Sequence, residues 1–322
     1  MRQSITLTVL FATVLGLSLP ALAQPADPYP SRPIQVVVPL TAGSVLDLLA
    51  RALTDAMART SPQPFVVLNR EGAAGVIGTT LVARAKADGY TLGFGGDSAV
   101  TVQPHVAKDL AYSLDSFEFV CQVAYAPMVV VVGPESPFRS FGELVAAAKK
   151  APQPLRYATV GNASMMHLVG ESIASEGDIR LVHIPFRSVA DMNTQTINGN
   201  VDFTITLPNI LTLGRGLRAL ALTADEPMDA LPAIPLLGTL GWKRSVLSSA
   251  HILFAPRGLA PDAMAWLRKA CAEAVASDSF RAATTRTHSM PRHNDGERLG
   301  AWMRQMWQDY GERVRRIALQ AG

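Results

Sequence analysis

Residues 33–47 read PIQVVVPLTAGSVLD, and their reading decides the fold. Ile34–Val38 is a short apolar run of strand type. Pro39–Ser44 is a loop of small residues, and a helix opens after it. Ser44 and Asp47 have the S-x-x-D spacing of a capping box, which marks a helix N-terminus. Ala42, Gly43 and Ser44 leave the loop backbone uncluttered, so its amides can face a ligand. A helix N-terminus offers unpaired N–H groups and a partial positive charge, which suits a carboxylate or phosphate. The plainer alternative is an ordinary strand-to-helix turn.

Outward from this stretch, strand-like and helix-like segments alternate. A helix is expected over residues 45–60, with Leu46, Leu49, Leu53 and Met57 at spacings of three and four. A strand follows over 65–68, a small-residue helix over 75–87, closed by Asp88-Gly89, and a strand over 91–95 that opens into Gly96-Asp97-Ser98. This order predicts a parallel sheet with helices on both faces. A second α/β unit reads as a long apolar strand over 126–133, a helix capped by Ser140 and Glu143, strands over 155–160, 181–184, 201–206 and 217–223, and helices between them. It has its own small-residue junction, Thr159 to Ser164. Residues 225–245 read as loop, 251–255 as strand and 261–276 as helix. Leu299, Trp302, Met303, Met306, Trp307, Tyr310, Val314 and Ile317 share one face of a final helix and read as core packing.

The first 23 of 322 residues read as an export signal: Arg2, an apolar run from Ile5 to Leu19, and Ala21-Leu22-Ala23 before Gln24. A retained anchor is the second reading of this run, which is short for a membrane span. The formal net charge is +3 and no basic stripe is present, so nucleic acid is not implied as a partner. Cys121 and Cys271 allow either one disulfide in an oxidising compartment or two buried free thiols.

Signals for catalysis are weak. There is no G-x-S-x-G elbow and no P-loop. None of the six histidines sits in an H-x-x-x-H arrangement, so no metal and no cofactor are expected. Ser164, His167 and Asp47 can be drawn as a triad, but triads are defined by geometry, and helix capping and packing explain these residues equally well. What remains is a pair of loop-bearing units. In open α/β sheets, ligands bind beyond the carboxyl ends of the strands, so two such units facing each other describe an anion-binding cleft.

The chain resembles the tripartite tricarboxylate transporter receptors, also called the Bordetella uptake gene family of solute-binding proteins. The resemblance rests on Tyr29-Pro30-Ser31-Arg32-Pro33-Ile34, the loop 39–47, Asn69-Arg70-Glu71-Gly72-Ala73-Ala74-Gly75, Ala87-Asp88-Gly89-Tyr90-Thr91-Leu92, Gly161-Asn162 with His167-Leu168, His183-Ile184-Pro185-Phe186-Arg187, and Leu217-Arg218-Ala219-Leu220-Ala221. It implies an α/β, two-domain periplasmic-binding-protein fold of the Venus-flytrap type with two crossings between domains. Residues 27–125 plus 249–322 would form one domain and 126–248 the other. It also implies a non-enzymatic, periplasmic and monomeric protein that closes on a small organic acid or amino acid and delivers it to membrane permease subunits, or else engages the outer domain of a sensor kinase. The expected ligand-binding positions are Leu40, Thr41, Ala42, Gly43, Ser44 and Asp47 on the first loop, and Gly96, Asp97 and Ser98 on the second. On the facing unit they are Thr159, Gly161, Asn162, Ser164 and His167, with Arg187 and Thr206 beside them. The sequence departs from the family habit at these loops. Leu40 replaces an aromatic residue, Ala42 a proline and Ser44 a glycine, Met165-Met166 replaces small residues, and Ser188 replaces a glycine.

Overall fold

A computed structural model describes residues 28–107, 109–213 and 216–317. The expected export signal lies outside them. The decisive stretch folds as β1 (Ile34–Val38) leading into α1 (Val45–Ala58). β1 runs parallel to a neighbour on each side, β2 (Phe65–Asn69) and β3 (Thr91–Gly96). A strand enclosed in this way needs apolar side chains on both faces. Between β2 and β3 lies α2 (Val76–Ala83), which ends four residues earlier than its composition predicts. After β3 come two single turns, α3 (Ser98–Thr101) and α4 (Gln103–Val106).

The chain then runs through β4 (Phe117–Pro127) and β5 (Val129–Val132). The second unit continues with α5 (Phe141–Lys150), β6 (Leu155–Val160), α6 (Met165–Gly177), β7 (Leu181–Phe186), α7 (Val189–Ile197), β8 (Phe203–Thr206) and β9 (Arg218–Leu222). The chain returns through β10 (Ser248–Pro256), α8 (Pro261–Ala276), α9 (Asp278–Arg286), β11 (Met290–Asp295) and α10 (Gly296–Ile317). The first sheet has the order β11-β4-β10-β3-β1-β2 and the second β7-β6-β8-β5-β9. Each has its own core. Leu49, Leu53, Phe94 and Leu267 lie at the centre of one, and Phe141, Tyr157, Phe203 and Ile205 at the centre of the other. Full burial of such side chains contributes about 1.5–3 kcal/mol each.

The expected strand over 126–133 is in fact two. β4 pairs in the first sheet and β5 in the second, and the chain crosses between them at Pro127-Met128. The backbone stays extended through the crossing, so the apolar run does not show the break. The return crossing lies between β9 and β10. Thr223, which is buried, joins the two. Its hydroxyl accepts from Met128 N at 2.7 Å and donates to Leu247 O, and its own amide donates to Met128 O at 2.9 Å. α10 also spans both units. Leu299 and Met303 pack in the first, Tyr310 and Val314 in the second.

The structure decides the cysteine question in favour of a disulfide. Cys121 on β4 and Cys271 on α8 are bonded, 150 positions apart in sequence. The covalent loop encloses the whole second sheet, and closing a loop of this length typically stabilises a fold by roughly 2–5 kcal/mol.

Candidate functional site

Two strand-to-helix loops, one in each unit, are built alike. In the first, Gly43 has a left-handed backbone, φ +80°. Ser44 caps α1, its Oγ accepting from Asp47 N at 3.3 Å, and Asp47 Oδ2 reaches back to accept from Gly43 N at 2.9 Å. The carboxylate also accepts from Arg51 Nε at 3.1 Å and Asn69 Nδ2 at 2.9 Å. Asn69 further donates to Leu40 O at 3.0 Å, which ties down the start of the loop. Burial pushes the Asp47 carboxyl up, but the bonds from Arg51, Gly43 and Asn69 outweigh it and hold the pKa below the usual range. Asp47 is therefore a buried scaffold residue. Leu40 and Ser44 are half-buried, and Thr41, Ala42 and Gly43 form the exposed surface of the loop.

In the second loop Ala163 is left-handed, φ +51°. Ser164 caps α6, its Oγ accepting from His167 N at 3.3 Å and donating to Gly161 O at 3.1 Å. His167 Nδ1 accepts from Ala163 N at 3.0 Å, which puts its ring proton on Nε2. The ring stacks on His183 with centroids 3.7 Å apart. His183 Nε2 lies 2.6 Å from Thr159 Oγ1, and Thr159 donates to Gly161 O at 3.3 Å. Behind the pair, Tyr157 donates to Glu171 Oε1 at 2.7 Å. Burial, aided by His183, lowers His167 to about 3, and burial lowers His183 to about 4, so both rings are neutral near pH 7.

This geometry removes the triad reading. Ser164 Oγ is bound to backbone groups, the His167 nitrogen nearest the loop is already an acceptor, and Asp47 belongs to the other unit and is held by Gly43, Arg51 and Asn69.

The second loop touches the first unit at two places. A Cβ built on Gly161, whose φ is +79°, would come within 3.3 Å of Ala74 Cβ. Ala73 and Ala74 are both left-handed, φ +48° and +50°, a conformation that costs a non-glycine residue roughly 1–2 kcal/mol. A second contact is polar. Gln103 Nε2, on the turn beyond β3, donates to Ala163 O at 3.2 Å and Asn162 O at 3.4 Å.

The remaining predicted positions differ in placement. Gly96 and Ser98 are half-buried beside this turn. Asp97 is wholly buried, and its Oδ1 accepts from Ala250 N at 3.1 Å and Ser249 Oγ at 3.3 Å on β10. One oxygen of this carboxylate ties the turn to the returning strand. Burial pushes the carboxyl up to about 7. Thr206 is buried at the end of β8, and Arg187 is exposed just past β7. Arg51, Asn69, Gln103 and His183 carry much of the arrangement and were not among the expected positions. Asn69 and His183 lie inside the segments that carry the family resemblance, so a signal was present for those two. Among the described residues, no group of three or more His, Cys, Asp or Glu is placed to hold a metal, and no helix is long and apolar enough to cross a membrane.

Comparison with known proteins gives consistent matches. The family model described as tripartite tricarboxylate transporter family receptor matches residues 49–318. A UPF0065 protein of Bordetella bronchiseptica is 35% identical over 283 residues, covering 86% of this chain and 83% of that protein. The protein BugT of Bordetella pertussis is 31% identical over 282 residues, covering 86% of each. Among solved structures, the periplasmic binding protein BugD is 27% identical, with a TM-score of 0.82 over 91% of this chain and 99% of that one. A Rhodopseudomonas palustris protein solved with adipate shares the fold at 24% identity, with a TM-score of 0.84 over 91% of this chain and 99% of that one.

Proposed function

The chain belongs to the tripartite tricarboxylate transporter family of receptors, and from that premise we propose that it is an exported, monomeric binding protein that closes its interdomain cleft on a small carboxylate and presents it to membrane permease subunits. In this reading residues 1–23 are the export signal, residues 27–125 with 249–322 form the first domain, and residues 126–248 form the second.

The observation that carries the proposal is the matched pair of loops. Both end parallel strands and both open helices at a serine cap, and the second loop meets the first unit at Ala74, in the turn after β2. Their side-chain anions and imidazoles are already engaged with the scaffold, so the groups left to the ligand are backbone amides, hydroxyls and the helix N-termini. That combination suits an oxyanion. Leu40, Thr41, Ala42, Gly43 and Ser44 would line one wall, backed by Asp47. Thr159, Gly161, Asn162 and Ser164, backed by His167, would line the other. Gly96, Asp97 and Ser98 shape the floor, with Thr206 and Arg187 at the same edge of the second sheet. Closure follows from the ligand's preference for the state in which both walls reach it.

Calorimetry and thermal shift against malate, adipate, aspartate and nicotinate test this. A ligand present at a hundred times its Kd stabilises the native state by about 2.7 kcal/mol, a readily seen rise in Tm. If no acid in the panel raises Tm, the carboxylate reading falls. Gly43→Val should weaken binding at least about tenfold while the protein still folds. No atom lies within 4 Å of the new Cβ, so the change acts by forcing the loop away from a left-handed backbone.

A further inference from the structure

The segment Asp97–Val106 leaves the first sheet and enters the second unit. Its root is fixed by Asp97, bound to the amide of Ala250 and the hydroxyl of Ser249, and by Thr101, whose hydroxyl donates to Asp97 O at 2.7 Å. Its middle carries Val102, fully buried where this segment packs against side chains of the second unit. Its far end is held by His105, whose Nε2 lies 2.7 Å from Trp307 O on α10. Gln103, only 4% exposed, sits at the centre and donates to the carbonyls of Asn162 and Ala163. From the other side, His167 Nδ1 accepts a hydrogen bond from the amide of Ala163. The same short stretch of backbone is thus gripped by a side chain from each domain, one at its carbonyls and one at its amide.

We infer that Gln103 is a positioning residue for ligand capture: carried by the first domain, its amide sets the shape of the Asn162–Ala163 loop in the second, so that this wall of the cleft is completed when the domains close. The inference rests on the carboxylate-binding reading for its functional sense, while the coupling between domains stands on the contacts alone. The His167 bond fixes Ala163 N at all times, because both groups belong to one domain. The Gln103 bonds exist only while the domains are together. Opening therefore frees two carbonyls, and the left-handed Ala163 loses half of what holds it.

The test uses the full exported chain and two variants, Gln103→Leu and Gln103→Glu. The first has similar size without polar groups. The second is isosteric but, when ionised, presents an oxygen where the donor stood. Hydrogen exchange over residues 161–168 is measured without ligand, and Kd and dissociation rate are measured with malate, adipate, aspartate and nicotinate as probes. The expected result is faster exchange over this segment in both variants, and a rise in Kd of about tenfold for any probe that binds wild type, carried mainly by faster dissociation. Unchanged exchange overturns the inference, as does a Kd within twofold of wild type. Faster exchange in the variants of a protein whose wild type binds no probe leaves the coupling intact and removes the carboxylate reading instead. If Gln103→Leu fails to fold, Gln103→Glu carries the comparison.

Discussion

The two walls of the cleft solve one structural problem with opposite chemistry. Each has a left-handed residue, a serine cap, and a side chain three residues past the cap that returns to the amide before it. In the first wall the returning group is the Asp47 carboxylate, neutralised by Arg51. In the second it is the neutral imidazole of His167. A charged return needs a cation beside it and a route to solvent, and Arg51 is half-exposed. A neutral return needs neither, and can sit in a buried stack. Both returning side chains are buried, Asp47 2% and His167 6% exposed, so the geometry of the loop is set by hydrogen-bond count, while its charge follows whether a cation lies beside it.

Exchanging the chemistries breaks this comparison most sharply. His167→Asp puts a carboxylate where Glu171 already lies 3.8 Å from the replaced ring, and where the named contacts include no cation. Burying an unpaired charge costs about 3–5 kcal/mol. Urea unfolding at pH 7 should show a loss of that size. A loss below about 1 kcal/mol would mean that the missing cation does not dictate the neutral group.

The walls also differ in their pH windows. The folded pKa of His167 is about 3, below its ordinary 6.5, so on acidification the unfolded chain takes up the proton first. Stability from this site is complete above about pH 6.5 and declines as pH falls toward 3. Asp47 is also lowered, but from 3.8, so its contribution is complete above that value and is lost only below it. His105 and His251 are lowered by burial as well, so the useful quantity is the difference between wild type and His167→Gln. That difference should shrink between pH 6.5 and 4. The corresponding difference for Asp47→Asn should stay flat down to about pH 4. Parallel curves for the two variants would erase the distinction between the walls.

Asp47→Asn sharpens the comparison at neutral pH. The amide keeps the volume but loses the charge and one acceptor, leaving either Gly43 N and Arg51 Nε, which share Oδ2, or Asn69 Nδ2, on Oδ1, without a partner. A hydrogen bond to a charged group contributes about 1.5–3 kcal/mol, and Arg51 can return to water. Unfolding should be easier by about 2 kcal/mol, less than for His167→Asp.

Much of this was legible in the sequence, for identifiable reasons. The strand, loop and cap of residues 33–47 show because apolar periodicity and S-x-x-D spacing are local signals. Ser164 shows for the same reason. β11 does not: it carries Pro291 and charged residues, and its pairing with β4 is irregular, with a register shift between Pro291 and Asn294. The crossing at Pro127-Met128 hides inside an apolar run. That Ala250, some 150 residues on, pairs with Asp97 is not legible, because nothing in the neighbourhood of Asp97 shows it. Gln103 was passed over for the same reason: its partners, Asn162 and Ala163, are brought to it only by the packing of two domains.

The left-handed residues give the smallest and most discriminating contrast. Gly43 is exposed, with open space where a Cβ would stand. Gly43→Ala therefore adds no clash and no buried contact, only the left-handed penalty of roughly 1 kcal/mol, partly offset by the freedom it removes from the unfolded chain. Ala163 has the same backbone sign but is fully buried. Ala163→Gly relieves the penalty of about 1 kcal/mol, yet removes a buried methyl worth about 0.8 kcal/mol and adds freedom to the unfolded chain. The net change should be a loss of about 0.2–0.8 kcal/mol. Denaturant midpoints of the two variants decide the matter. If Ala163→Gly is instead stabilising by 1 kcal/mol or more, the buried wall is strained rather than packed, and its alanine serves the shape of the loop at the expense of the fold.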